Sequence, residues 1–294
     1  MSHTLRFPAT TPPAPSPAHA ANRVAIVTGH SQGLGQAIAA DLLGRGRGWR
    51  VLGLSRSGWP PELASQYPGL TEVALDLADA PALAAWLAGP ALADALAGVV
   101  GMAACGEVAG VQGAEHSAGV VAQAGQVLLV NNAGLVSPIG PPGGQGAAAV
   151  MQAVALNVAA PLALADAWVA ATAGVPDRRI VHISSGAARN AYAGWSVYCA
   201  TKAALDMHAR AVQLDAVAGL RIESLAPGVV DTGMQVHIRA TDASQFPLVG
   251  RFQGLHRDGA LQSPSDVARR LLHHVLGGAF GAEAVRDLRD SHGR

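Results

Sequence analysis

Tyr198 and Lys202 stand four residues apart in the segment Tyr198-Cys199-Ala200-Thr201-Lys202, and Ser185 lies thirteen residues before the tyrosine. On a helix, a four-residue step places two side chains on one face, one turn apart. A free phenol has a pKa of about 10. A neighbouring ammonium favours the phenolate and is expected to bring that value down toward working pH. Such a tyrosine can give a proton to a carbonyl oxygen as hydride arrives at the carbon, or accept one in reverse. A serine hydroxyl at a strand end can hold the same oxygen and stabilise its developing charge.

Groups that must converge in this way need a rigid frame. From Arg23 onward, short apolar runs alternate with helical stretches. Strands are expected at Val24–Val27, Arg50–Leu54, Leu70–Leu75, Val127–Val130, Arg179–Ile183 and Leu220–Leu225. Helices are expected over Gly35–Leu43, from Pro81 to Leu87 with proline in the first turn, across Ala147–Ala170, and over Val197–Ala216. This alternation predicts an α/β class: one domain with a doubly wound, Rossmann-type parallel sheet and helices on both faces. Two stretches fit less well. Residues from about 89 to 125 are rich in Ala, Gly and Val with little periodicity, which suggests a helix plus an insertion. Residues 138–146 form a Pro/Gly-rich loop.

The first strand runs directly into Thr28-Gly29-His30-Ser31-Gln32-Gly33-Leu34-Gly35. Glycines in such a turn let the backbone approach a pyrophosphate, and the helix that follows offers free N–H groups and a positive dipole end. An ordinary strand-to-helix turn is the plainer alternative. The second strand ends in Leu54-Ser55-Arg56-Ser57, with no acidic residue to bind adenosine ribose hydroxyls. Arg56 with Ser55 instead suits a 2′-phosphate, so NADP(H) is the expected cofactor, against the alternative of a solvated surface arginine. Asp76-Leu77 follows the third strand, where the aspartate could meet the adenine amino group or cap the next helix.

With Asn131-Asn132-Ala133-Gly134 after the fourth strand and Ser184-Ser185 after the fifth, the chain resembles the short-chain dehydrogenase/reductase family from about Arg23 to its C-terminal region. The resemblance implies Ser185, rather than Ser184, as the catalytic serine, because it has the family's distance to Tyr198. It implies that Lys202 also binds the nicotinamide ribose, and that Asn132, Ala133 and Gly134 border the cofactor. It further implies that Asn157 holds a water for proton relay; a buried Asn satisfying backbone would look the same. The loop Pro227-Gly228-Val229-Val230-Asp231-Thr232 is expected to close over the nicotinamide, with Thr232 near its carboxamide.

The strings Gly194-Trp195-Ser196-Val197-Tyr198-Cys199-Ala200 and Pro227 to Gln235 narrow the resemblance to sepiapterin reductases and bacterial benzil reductases. That implies reduction of a vicinal dicarbonyl or a side-chain ketone by NADPH. Tyr192 and Trp195 are candidate pocket walls, with core or interface positions as alternatives. Asp287 sits where sepiapterin reductases place a pterin-anchoring aspartate; a solvated C-terminal charge is the other reading. Two further functions stay open: the same chemistry on a 3-oxoacyl thioester or steroid ketone, and a non-catalytic nucleotide sensor on the same fold. The sensor has no need of an intact Ser185/Tyr198/Lys202 set. Family members pair through the helices carrying Asn157 and Tyr198, so a homodimer or homotetramer is expected.

Composition sets the outer bounds. The 294 residues carry 20 Lys+Arg against 20 Asp+Glu, so no charge surplus points to nucleic acid or an anionic membrane. The eleven histidines are scattered, and adjacent His273 and His274 diverge on a helix, so no metal is expected. Cys105 and Cys199 are expected to stay reduced. No uninterrupted apolar run reaches bilayer length. Residues 1–22 hold five prolines among Ala, Thr and Ser and are read as a disordered tail without the apolar segment of a signal peptide. A cytoplasmic location is the resulting default.

Overall fold

The computed structural model describes residues 22–45, 48–104 and 121–291. Seven parallel strands form one sheet: β1 (Arg23–Thr28), β2 (Trp49–Ser55), β3 (Leu70–Ala74), β4 (Gln126–Asn131), β5 (Arg178–Ile183), β6 (Leu220–Ala226) and β7 (Val285–Asp287), in spatial order β3-β2-β1-β4-β5-β6-β7. The helices are α1 (Gly33–Gly44), α2 (Pro61–Ala64), α3 (Ala80–Ala88), α4 (Ala91–Ala104), α5 (Ala147–Ala171), α6 (Ser196–Leu214), α7 (Gly233–Arg239), α8 (Val249–Arg257) and α9 (Pro264–Val275). The strand order reverses between β1 and β4, and ligands of such sheets bind at the strand C-termini beside that reversal.

The sheet is buried on both faces because its central strands are apolar at every position. In β1, Ala25 and Val27 pack into one core with Ile38 and Leu42 of α1 and Leu271 and Leu272 of α9. Val24 and Ile26 pack on the opposite face with Leu96 of α4 and Leu164 and Trp168 of α5. The two-residue alternation of side chains along the strand thus feeds two cores at once.

The six strands expected from sequence all form. The seventh escapes a pattern search because Val285-Arg286-Asp287 is three residues long, two of them charged. It is held by its parallel register to β6, with Ala226 opposite Asp287. Part of the region 89–125 is helix α4; Cys105 lies outside the described residues, as does the tail through residue 21. Cys199 is a free thiol.

Helix α5 is apolar over a length that a search for unbroken apolar sequence does not register. Its 25 residues are long and apolar enough, by composition, to cross a membrane. Gln152, Asn157 and Asp166 interrupt the run, which is why a search for unbroken apolar sequence passes over it. Leu164 and Trp168 bury one side of it against the sheet. Its middle, Ala155–Ala159, widens into a π-helical turn that contains Asn157. Such turns occur often at functional sites.

Candidate active site

The loops at the strand C-termini enclose a cavity of about 510 Å³. Gly29, Ser31, Gln32, Gly33 and Leu34 line it from the turn between β1 and α1, and Ser55, Arg56, Asp76 and Leu77 line it from the ends of β2 and β3. Asn132, Ala133 and Gly134 join after β4, Ser185 after β5, and Pro227, Gly228, Val230 and Thr232 after β6. Tyr198 and Lys202 of α6 reach the same space, with Tyr192 and Trp195 just before that helix. Gly35, Asn157 and Asp287 are the expected site residues that do not line it.

The turn is built for close backbone approach. Gly33 has φ +58°, a conformation that L side chains rarely adopt. Gly35 has an ordinary φ but no room: a Cβ there would stand 2.3 Å from the Gly29 carbonyl oxygen and 2.5 Å from Asn132 Nδ2. Its role is packing of α1 against the strand ends. Thr28 Oγ1 accepts from the backbone N–H of both Asn132 and Ala133 at 2.9 Å, and Asn132 Nδ2 donates to Thr28 O at 2.9 Å. These bonds lock the ends of β1 and β4 together at the reversal point.

A brace unmarked by any motif joins this turn to the β2 loop. The His30 ring is buried and lies over Gly53, where a Cβ would stand 2.4 Å from it. His30 Nε2 and Glu72 Oε1 are 2.6 Å apart, and the same carboxylate oxygen accepts from Trp59 N–H at 2.8 Å. Trp59 Nε1 closes the circuit by donating to His30 O at 2.7 Å. The only sequence signal for it is a bulky residue inside a glycine-rich turn. Asp76 accepts from Ala78 N–H at 2.9 Å, while Asp79 caps α3 by accepting from Ala82 N–H at 3.0 Å. The capping alternative for Asp76 therefore falls to its neighbour.

At the other end, Ser184 and Ser185 are distinguished by their partners. The Ser184 hydroxyl donates to Asp206 Oδ1 at 2.7 Å. Ser185 Oγ accepts from Ala187 N–H at 3.1 Å and neighbours the Tyr198 phenol, favouring its anion. Lys202 Nζ donates to Ile183 O at 2.8 Å and lies 5.8 Å from the Tyr198 ring centre.

The expected lowering of the tyrosine pKa is not what the fold produces. Burial pushes the Tyr198 phenol up to about 12 and outweighs the Ser185 hydrogen bond. Burial also pushes the Lys202 ammonium down to about 8, against the opposing pull of the Asp206 carboxylate. Charge is costly for both groups in so dry a place. The tyrosine thus stays protonated near neutral pH. Deeper still, burial, with His208 and Lys202 adding to it, drives His182 down to about 3, so its imidazole is neutral.

Asn157 is 1% exposed and braces the loop after β4: its Nδ2 donates to Leu135 O at 2.8 Å and Thr201 Oγ1 at 3.1 Å, and its Oδ1 accepts from Leu135 N–H at 2.9 Å. Trp195 stacks on Phe246 with ring centres 4.5 Å apart, and Tyr192, Tyr198 and Phe252 pack around it. Asp287 departs from the expectation of a substrate anchor. Its carboxylate is buried and held by Arg289, through Nε at 2.8 Å and Nη2 at 2.7 Å. Arg289 lines the cavity in its place, as do Met234, Gln235, His237, Arg251 and Phe252.

A seven-stranded doubly wound sheet whose reversal point carries a glycine turn, a Ser–Tyr–Lys set and a dinucleotide-sized groove of loops defines a nucleotide-dependent oxidoreductase class. Residues 107–243 match the short chain dehydrogenase family. The chain is 32% identical over 256 residues to a benzil reductase ((S)-benzoin forming) of Bacillus cereus, covering 85% of this chain and 92% of that protein. It is 30% identical over 279 residues to sepiapterin reductase of Rattus norvegicus, covering 91% and 96%. A solved short-chain dehydrogenase/reductase from Burkholderia vietnamiensis shares 46% identity and a TM-score of 0.60, covering 92% of this chain and 99% of its own. The chain belongs to the short-chain dehydrogenase/reductase family. It is an oxidoreductase acting on CH–OH or C=O groups, related to the benzil and sepiapterin reductases.

Proposed function

We propose that this chain is an NADPH-dependent carbonyl reductase that acts on the ketone of a vicinal dicarbonyl. The observation that carries the reading is the convergence of Ser185, Tyr198 and Lys202 on one end of a cavity whose other end is bordered by Ser55 and Arg56. The glycine turn fits a pyrophosphate, since its backbone is open to the cavity at Gly29 and Gly33. Arg56 is exposed at the end of β2 and suits a 2′-phosphate, while the Ser55 hydroxyl donates to Ser57 O at 2.5 Å and shapes that loop.

The bound nicotinamide would supply the hydride. Lys202, anchored on Ile183 O, would hold the nicotinamide ribose, and Thr232 would border the carboxamide. Ser185 would hold the carbonyl oxygen, and Tyr198 would deliver the proton to it, leaving an alcohol. Asn157 positions the loop through Leu135 and keeps one Oδ1 lone pair for a water. Tyr192 and Trp195 form an aromatic wall suited to an aryl ketone. In the intact enzyme, two copies would pair through α5 and α6. Met151 at 70% exposure and Met207 at 60% leave apolar side chains uncovered on those helices.

The test is oxidation of NADPH, with NADH in parallel, against benzil, diacetyl, sepiapterin and an acetoacetyl thioester. Turnover of a diketone, faster with NADPH, is expected. An Arg56→Ala variant should raise the KM for NADPH at least ten-fold and leave that for NADH nearly fixed. No turnover of any ketone despite NADPH binding would favour the sensor, and equal use of NADH would remove Arg56 from its role.

A further inference from the structure

We infer that Arg289 is a specificity residue that selects substrates with a carboxylate attached to the reacting carbonyl, that is, aryl 2-oxo acids. The inference rests on the carbonyl-reductase reading above and names the substrate class within it.

The placement of the guanidinium is the first argument. Arg289 Nη2 stands 3.9 Å from where a Cβ on Gly186 would be, and Gly186 directly follows Ser185. The Arg289 stem crosses Gly228, with Cδ 3.5 Å from the position of a Cβ there. Arg289, half exposed, therefore borders both the loop expected to hold the carbonyl oxygen and the loop expected over the nicotinamide. A negative group on a carbonyl held at Ser185 would lie on the side of the neighbouring Gly186, which Arg289 borders.

Hydrogen-bond capacity is the second. A guanidinium has five N–H donors. Asp287 takes two of them, one on Nε and one on Nη2. Both hydrogens of Nη1 and the second on Nη2 are left for another acceptor. Asp287 fixes the fork through both its oxygens, and Arg189 Nη2 also approaches Asp287 Oδ2 at 3.9 Å. A planar fork so held is preorganised for a second carboxylate.

The charge of the surroundings is the third. Among the described residues lining the cavity, Asp76 is the one carboxylate, and it sits at the adenosine end. The substrate end holds Arg289 and Arg251, with the latter 5.9 Å from the Phe252 ring centre. Trp195, Phe252 and Val136 supply an apolar wall for the rest of the molecule. An aryl 2-oxo acid matches both halves: ring against the aromatic wall, carboxylate on Arg289. Its reduction balances as for any ketone. Hydride adds to C2, Tyr198 protonates the oxygen, and a 2-hydroxy acid and oxidised cofactor result.

The test compares phenylglyoxylate with 1-phenyl-1,2-propanedione, in which a neutral acetyl group replaces the carboxylate. Two readouts are taken: the ratio of kcat/KM for the two substrates, and calorimetric binding of phenylglyoxylate to the protein saturated with NADP+, which has no hydride to give. Wild type should favour phenylglyoxylate, and Arg289→Met should lower the ratio by ten- to a hundred-fold and weaken binding in parallel. Because Arg289→Met strands the buried Asp287 carboxylate, the double variant Asp287→Asn with Arg289→Met is measured alongside, and its thermal melt checks the fold. A ratio that both variants leave unchanged, or a wild-type complex that does not bind phenylglyoxylate, would overturn the inference. If no ketone at all is reduced, the reductase reading fails on its own terms. Binding then still decides for or against Arg289.

Discussion

Replacing Asn157 with alanine separates two roles that the sequence leaves indistinguishable, a holder of relay water and a brace for the backbone. The side-chain amide has two N–H donors and two lone pairs on oxygen. Both donors and one lone pair are committed, to Leu135 O, Thr201 Oγ1 and Leu135 N–H. Each such bond contributes about 1 kcal/mol net, and stranding the Leu135 groups adds a penalty that their partial exposure moderates. A loss of about 3 kcal/mol is expected, which for a chain of this size lowers Tm by about 5 °C. The loop from Asn131 to Leu135 would loosen beside the nicotinamide position, and turnover should fall more than ten-fold. Differential scanning calorimetry and steady-state rates on the same preparation give both numbers. An Asn157→Ala protein that melts within about a degree of wild type would refute the accounting. If turnover were lost nonetheless, the remaining Oδ1 lone pair and its water would carry the role.

Reduction rates should hold steady through neutral pH and fall as pH rises through about 8. Lys202 is charged below that value and loses its ammonium above it, whereas Tyr198, raised to about 12, stays protonated throughout. A pH profile of kcat that stays flat to pH 10 would contradict this assignment. His30→Ala should open the brace between the glycine turn and the β2 loop, lower Tm, and weaken NADPH binding several-fold, as read by fluorescence titration. Unaltered affinity would mean that Glu72 and Trp59 hold the β2 loop without it.

The strands and most of the helices were legible in the sequence because each is a local matter. Apolar runs bounded by glycine and proline, and a four-residue step between Tyr198 and Lys202, need no distant partner to be read. The loop residues from Gly29 to Leu34 and from Pro227 to Thr232 were legible for the same reason, since a turn's chemistry is written in its own residues. Asn157 was visible as a residue, but its three partners come from Leu135 and Thr201, remote in sequence.

By itself, then, the sequence determined the alternation of elements, the order of the loops at the strand ends, and the identity of the Ser–Tyr–Lys set. Tertiary structure alone decided what surrounds that set. Burial, which depends on the whole fold, pushes the Tyr198 phenol up and the Lys202 ammonium down, the reverse of what their spacing suggests for the phenol. Pairing of β7 with β6 decided that Asp287 is buried and bound to Arg289, and that Arg289 lines the cavity. His30, Glu72 and Trp59 meet only because β2 and β3 lie beside β1. Solvation and pairing are properties of neighbours in space, and a sequence names its neighbours only along the chain.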